Sequence, residues 1–335
     1  MREKTRRHAV ALVVFIPLLF LLAGCPAYME EARKEAAKVY VANMNSNTVS
    51  VIDGKSYKVI RTVDAKGHHT HDLWLTPDGK RLFATNMQTG TVSVIDTATD
   101  EVVATISTGT LTHAIAVSPD GKNLWVVPGK EPFLPIFDTA SLMSKGAVTL
   151  KEPIGTGHVW ISPDGKKAYI TSPPKGEVLV ASATLDKSNV PTVTTTIKVG
   201  KTPTFIQVSP DGKEVWGTNT GESSVYVIDV ATNKVMETIE VGKNPQHLTF
   251  AGGKVYVSLG GQNEVAVVDP ASRKVTGRFP VGKIPHGIWP SPDGATLYVA
   301  NEGEGTVSVV DRGSGKVVAT VPVGQKPVAV VTLAR

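Results

Sequence analysis

The sequence holds one cysteine in 335 residues, Cys25, so an internal disulfide cannot form. Covalent haem attachment through Cys-x-x-Cys-His is excluded, and so is a cysteine-ligated copper or zinc site. A helical period of apolar residues is missing beyond about residue 38, which leaves strands. A strong charge of either sign is missing too. Residues 1–24 carry four basic residues and one acidic one; without them 31 basic residues face 29 acidic ones. The pI of 9.1 therefore overstates the basicity of the remainder, and nothing demands nucleic acid as a partner. Histidine is absent from most of the chain. The seven beyond residue 24 are His68, His69, His71, His113, His158, His247 and His286, and all fall at one recurring place.

That place belongs to an internal repeat. Thr76-Pro77-Asp78-Gly79 recurs as Ser118-Pro119-Asp120-Gly121, Ser162-Pro163-Asp164-Gly165, Ser209-Pro210-Asp211-Gly212 and Ser291-Pro292-Asp293-Gly294, with Ala251-Gly252-Gly253 as a degenerate copy. The spacing of 40 to 47 residues is the period of a four-stranded propeller blade. Each unit reads as an apolar strand, an Asp-Gly turn suited to a tight hairpin, and three further strands. Seven first strands are countable, near His71, His113, His158, Thr204, His247, His286 and Val328. The chain ends share one blade. Lys38–Asn43, Thr48–Asp53 and residues 57–63 supply its strands two to four, and Pro327–Leu333 supplies its first. The expected fold is an all-β, seven-bladed propeller over residues 38–335, closed by the C-terminal strand and thereby rid of open sheet edges.

Several repeated residues have architectural readings. Asp53, Asp96, Asp138, Asp229, Asp269 and Asp311 end third strands and read as turn formers. Asn43, Asn86, Asn219 and Asn301 follow second strands and read the same way. Gly109, Gly200, Gly242, Gly282 and Gly324 sit on the crossovers between blades, where the chain bends sharply. Trp74, Trp125, Trp160, Trp216 and Trp289 read as packing between blades.

Tyr40-Val41-Ala42-Asn43 through Ser50-Val51-Ile52-Asp53, and Tyr298-Val299-Ala300-Asn301 through Ser308-Val309-Val310-Asp311, resemble the YVTN-type β-propeller repeat. The resemblance covers nearly all of the chain after Lys38. It is specific for fold and weak for function: similar repeats occur in archaeal surface proteins, periplasmic propellers, lactonase-like enzymes and haem d1-binding propellers.

The N-terminus has a secretory layout. Arg2, Lys4, Arg6 and Arg7 precede an apolar run from Ala9 to Leu22, too short to span a bilayer. Leu22-Ala23-Gly24-Cys25 resembles a bacterial lipobox, which implies a signal peptide over 1–24, lipid on Cys25 and a tether over 25–37. With Pro26 after the cysteine, analogy favours the periplasmic face of an outer membrane.

The histidines carry the functional expectation. Counted back from the residue that opens each hairpin turn, His71, His113 and His286 stand five residues before it, and His158 and His247 four. Thr204 and Val328 hold the five-back slot where their blades lack histidine. His68 and His69 lie earlier, in Gly67-His68-His69-Thr70-His71. All seven are expected at the mouth of the central channel. Imidazole is the commonest protein metal ligand, so a transition metal (copper, zinc or iron) or a haem-type macrocycle is one expectation. The His68-His69 pair followed by single histidines resembles the copper-holding propeller of nitrous oxide reductase. This chain lacks the cysteine-rich domain of that family, which argues against reductase activity. Lys201, Lys243, Lys283 and Lys326 recur on crossover loops and would form a positive rim for an anionic ligand. Three functions follow. The first is a monomeric, lipid-anchored binding module that takes a metal or haem-type ligand. The second is a metal-free scaffold for an envelope protein. The third is a lactonase-like hydrolase, for which the sequence displays no complete catalytic constellation.

Overall fold

In the computed structural model the described residues are 38–185 and 191–334. Cys25, the leader and the tether lie outside them.

Seven four-stranded antiparallel sheets form the ring. The inner strands are Thr70–Leu75 in blade 1, Thr112–Val117 in blade 2, Val159–Ile161 in blade 3 and Pro203–Val208 in blade 4. Pro245–Ala251, Pro285–Pro290 and Pro327–Leu333 serve blades 5, 6 and 7. The C-terminal strand Pro327–Leu333 pairs with Lys38–Asn43, Lys38 opposite Leu333, so the two ends of the chain complete blade 7 as expected.

Burial follows from this stacking. Inner and second strands have both faces against neighbouring blades and are largely buried, as in Thr112–Val117, where every residue is buried. The outermost strand has one face in water and alternates, as in Glu101–Ser107. Burial of Val, Ile and aromatic side chains between blades is the main stabilising term, at about 25 cal/mol per Å² of apolar surface.

The repeated polar residues fix the turns. Ser162 Oγ donates to Asp164 Oδ1 at 2.6 Å, and that oxygen also accepts from Lys166 N, while Gly165 takes the positive φ of 70° the hairpin needs. The aspartates that end third strands behave as expected: Asp96 Oδ1 accepts from the amides of Ala98 and Thr99 at 2.9 and 3.0 Å. The asparagines do something other than turn. Asn43, Asn86 and Asn301 are fully buried at second-strand ends, and each donates Nδ2 to two hydroxyls of the adjacent third strand. They tie strands together at the turn end of each hairpin, where an unpaired amide N–H would be costly.

A buried ion pair fastens blade 7 to blade 1. Lys38 Nζ and Tyr40 OH both reach Asp100, each at 2.7 Å, and Lys38 also donates to Thr97 O. Every charged and hydroxyl group there has a partner, the condition under which such a pair is tolerated.

Candidate functional site

Five imidazoles close the channel mouth. Ring centroids lie 4.1 Å apart for His71–His113, 5.7 Å for His113–His158, 5.3 Å for His158–His247, 5.0 Å for His247–His286 and 6.0 Å for His286–His71. The contacts run in a closed circuit through blades 1, 2, 3, 5 and 6. Blade 4 contributes Phe205, stacked on His247 at 4.1 Å and 4.8 Å from His158. Blade 7 contributes the buried Val328.

Both histidine slots reach the axis, and the residue beside each explains how. The four-back positions are Asp72, Ala114, His158, Phe205, His247, Gly287 and Ala329. Where histidine stands five back in blades 2 and 6, the four-back residue is Ala114 or Gly287, which leaves room for the imidazole. Where histidine stands four back in blades 3 and 5, the five-back residue is Gly157 or Gln246.

The two-back positions share a strand face with the four-back ones. Three of them are Trp74, Trp160 and Trp289, whose rings meet at 4.6, 6.4 and 6.1 Å although their blades are not neighbours. Such contacts can only be made across the channel. As expected they pack against the apolar clusters of the blades, and they also meet one another across the channel. Trp125 and Trp216 are fully buried in the blade cores, as expected.

Burial keeps four of the imidazoles neutral. It pushes His113 down to about 4 and holds His71, His158 and His247 well below the usual 6.5, with the neighbouring imidazoles adding to it. His113 donates from Nδ1 to Gly157 O at 3.1 Å, which leaves Nε2 as the acceptor nitrogen. His71 Nδ1 and both nitrogens of His158 are buried without a hydrogen-bond partner among the described residues. Asp72 is the carboxylate under the ring. It accepts from Leu73 N and Ile115 N and lies 4.0 Å from His158 Nε2. Burial raises its carboxyl to about 7.

His286 differs from the other four. Its Nδ1 donates to Glu302 Oε2 at 3.0 Å, and Glu302 Oε1 lies 3.4 Å from Lys326 Nζ. These two partners hold Glu302 below the usual carboxylate range, the His286 hydrogen bond foremost.

The remaining expected residues lie elsewhere. His68 and His69 are exposed on the loop before blade 1, and no ring contact joins either to the five. His68 Nδ1 pairs with Asn47 Nδ2 at 3.3 Å, His69 N donates to Asn47 Oδ1, and their carbonyls accept from Gln88 and Met87. They act as loop anchors. Lys201, Lys243 and Lys283 are exposed on their crossovers, and Lys326 is drawn to Glu302. Among the described residues no three His, Cys, Asp or Glu side chains are arranged to hold a metal ion.

Glu302 escaped the sequence reading, yet the repeat carries a signal for it. The residue after each second strand is Met44, Met87, Gly129, Pro173, Thr220, Gly260 or Glu302, and Glu302 alone is charged. Phe205 was hidden because its blade was read for the neighbouring Thr204, whose Oγ1 pairs with Thr218 and Thr220.

Among solved structures, the chain is similar to the periplasmic gluconolactonase PpgL of Pseudomonas aeruginosa, with 19% identity, 89% of this chain and 99% of that one covered, and a TM-score of 0.75. A putative 6-phosphogluconolactonase from Bacteroides fragilis matches at 18% identity, covering 89% and 98%, with a TM-score of 0.74. The dihydro-heme d1 dehydrogenase NirN, in complex with DHE, matches at 16% identity, covering 89% and 75%, with a TM-score of 0.63. At these identities the likeness is one of fold. No curated protein matches the chain. The pattern of the lactonase family of seven-bladed β-propellers matches residues 23–277, more than half of the sequence, and the chain belongs to that family.

Proposed function

We propose that the protein hydrolyses a small lactone at the histidine-lined mouth. The observation that carries this reading is the circuit of five imidazoles, four of them held neutral by burial, in a member of the lactonase family. Opening a cyclic ester needs a base to take a proton from water and an acid to return one to the leaving oxygen. An imidazole takes the proton while neutral and returns it as the imidazolium so formed. Substrate meets the cluster at His286, the one partly exposed imidazole of the circuit. The gluconolactonase named above favours a sugar lactone. The layout of residues 1–25 favours an envelope location with lipid on Cys25, facing the periplasm.

A second reading is a binding module that takes a haem-type ligand on the same mouth. The unpartnered nitrogens of His71 and His158 favour it, since a buried neutral imidazole nitrogen with no hydrogen-bond partner has its lone pair free for a metal. A single imidazole, from His71 or His158, would hold such a group better than a shell of several ligands around one metal ion.

Five- and six-membered lactones, including glucono-1,5-lactone, separate the two when tested on the mature protein by titration of released acid. Hydrolysis above the spontaneous rate, reduced on the order of 100-fold or more in His286→Ala, is the expected result. A protein inert to every lactone, and coloured as isolated from the periplasm with a band lost in His158→Ala, would overturn the hydrolase in favour of the binding module.

A further inference from the structure

We propose that Glu302 is the positioning residue of this site, and that His286 is the one imidazole of the five that moves the proton. The proposal rests on the hydrolase reading and names its working pair.

Four observations converge on Glu302. It lies 3.0 Å from His286 Nδ1, the one ring histidine hydrogen-bonded to a carboxylate. Its second oxygen faces Lys326 on the neighbouring blade, so the carboxylate is clamped from two blades and stays ionised. Its backbone is fixed as well, since Glu302 N donates to Ile284 O at 3.0 Å. Last, it breaks the repeat: Met, Gly, Pro or Thr stands at the equivalent place in the other six blades. A residue needed only for the fold has no reason to be charged in one blade of seven.

The other carboxylate makes the contrast. Asp72 sits beneath the ring, 4.0 Å from His158 with no hydrogen bond between them, among His71, His113 and His158. The His158 side chain is 3% exposed, whereas that of His286 is 16% exposed. Only the Glu302–His286 pair combines a formed hydrogen bond with access to solvent.

The chemistry follows from the tautomer. A carboxylate that accepts from Nδ1 fixes the proton there and leaves the Nε2 lone pair directed away from Glu302. Water loses a proton to Nε2 as its oxygen bonds to the lactone carbonyl carbon. The ring C–O bond then breaks, and the departing oxygen takes that proton back from Nε2. Lactone and water become one hydroxy acid, with no other reactant consumed. Glu302 touches neither substrate nor water; it orients the imidazole and stabilises it while charged.

The test is Glu302→Gln and Glu302→Asp in the full chain, with two readouts. Gln keeps size and burial but accepts a weaker bond. We expect kcat to fall on the order of 100-fold in Glu302→Gln, with KM changed less than about threefold and partial recovery in Glu302→Asp. We also expect the 15N signals of His286, assigned by their loss in His286→Ala, to show the Nδ1–H tautomer in the wild type and a mixture in Glu302→Gln. A Gln variant with wild-type kcat, or with an unchanged tautomer, overturns the proposal. If the wild-type protein hydrolyses no lactone, the hydrolase reading falls on its own. The 15N readout then still decides whether Glu302 positions His286.

Discussion

Gly287 and Gly157 show at the scale of single residues why the two histidine slots never compete within a blade. A Cβ at Gly287 would lie 2.7 Å from Val328 O and 2.8 Å from Ala329 Cα. A Cβ at Gly157 would lie 2.1 Å from Thr171 O. Both obstructions are backbone and cannot rotate away. The absent side chain is therefore what lets blades 6 and 7, and the hairpin of blade 3, close in while His286 and His158 point to the axis. Gly287→Ala should push blade 6 off blade 7, with an overpacking cost of roughly 1–3 kcal/mol. Because His286 is the next residue, its contact with Glu302 should loosen as well. Urea unfolding reads the first effect and the His286 15N signals the second. A variant as stable as the wild type, with an unshifted His286, would show that the blades have slack which these distances deny.

The strand is the unit in which the site is written, and it shows which parts were legible in the sequence. The Ser-Pro-Asp-Gly turns and the 40-to-47-residue spacing repeat locally, so blade number, closure and the counting of slots could be read directly. Five of the seven histidines converge because their slots are fixed relative to a turn. His68 and His69 were misplaced because they precede the strand, in a loop whose course is set by Asn47 of another blade. Pairings across blades leave no mark in a linear pattern unless they break the repeat, as Glu302 does. The contact of three tryptophans across the channel was missed for a different reason. Trp74, Trp160 and Trp289 and the fully buried Trp125 and Trp216 are one residue type on two kinds of strand, and only the inner strand carries its indoles to the axis. That placement predicts a test. Trp160 touches Trp74 and Trp289 across the channel and Phe205 on the neighbouring blade, so Trp160→Ala should cost about 3 kcal/mol through lost aromatic packing and a cavity on the axis. It should also alter the near-ultraviolet circular dichroism of the two remaining indoles there. A loss below about 1 kcal/mol with an unchanged near-ultraviolet spectrum would mean that the three indoles do not form one packed layer.

For the whole molecule, the axial cluster sets how stability responds to pH, and its two kinds of group pull in opposite directions. The buried histidines have folded-state values below the usual 6.5. Their contribution is complete above about 6.5 and is lost as pH falls toward the folded value, because the unfolded chain binds the proton first. For His113, lowered to about 4, the loss between those limits is about 3 kcal/mol at 1.36 kcal/mol per unit. Asp72 is raised from 3.8 to about 7, so its protonated form favours the fold below the unfolded value and that support fades as pH rises to 7. Four depressed histidines outweigh one raised carboxyl. Stability should therefore climb from pH 4 to about 6.5, as His71, His113, His158 and His247 shed the penalty of charging, and then ease slightly as Asp72 finishes ionising. Asp72→Asn removes the opposing group, so the climb should steepen and the decline near neutrality should vanish. Denaturant midpoints between pH 4 and 8 for the two proteins check both statements. A wild-type profile flat between pH 4.5 and 6.5 would mean that the imidazoles are hydrated rather than packed against one another, and the closed mouth described above would then be wrong.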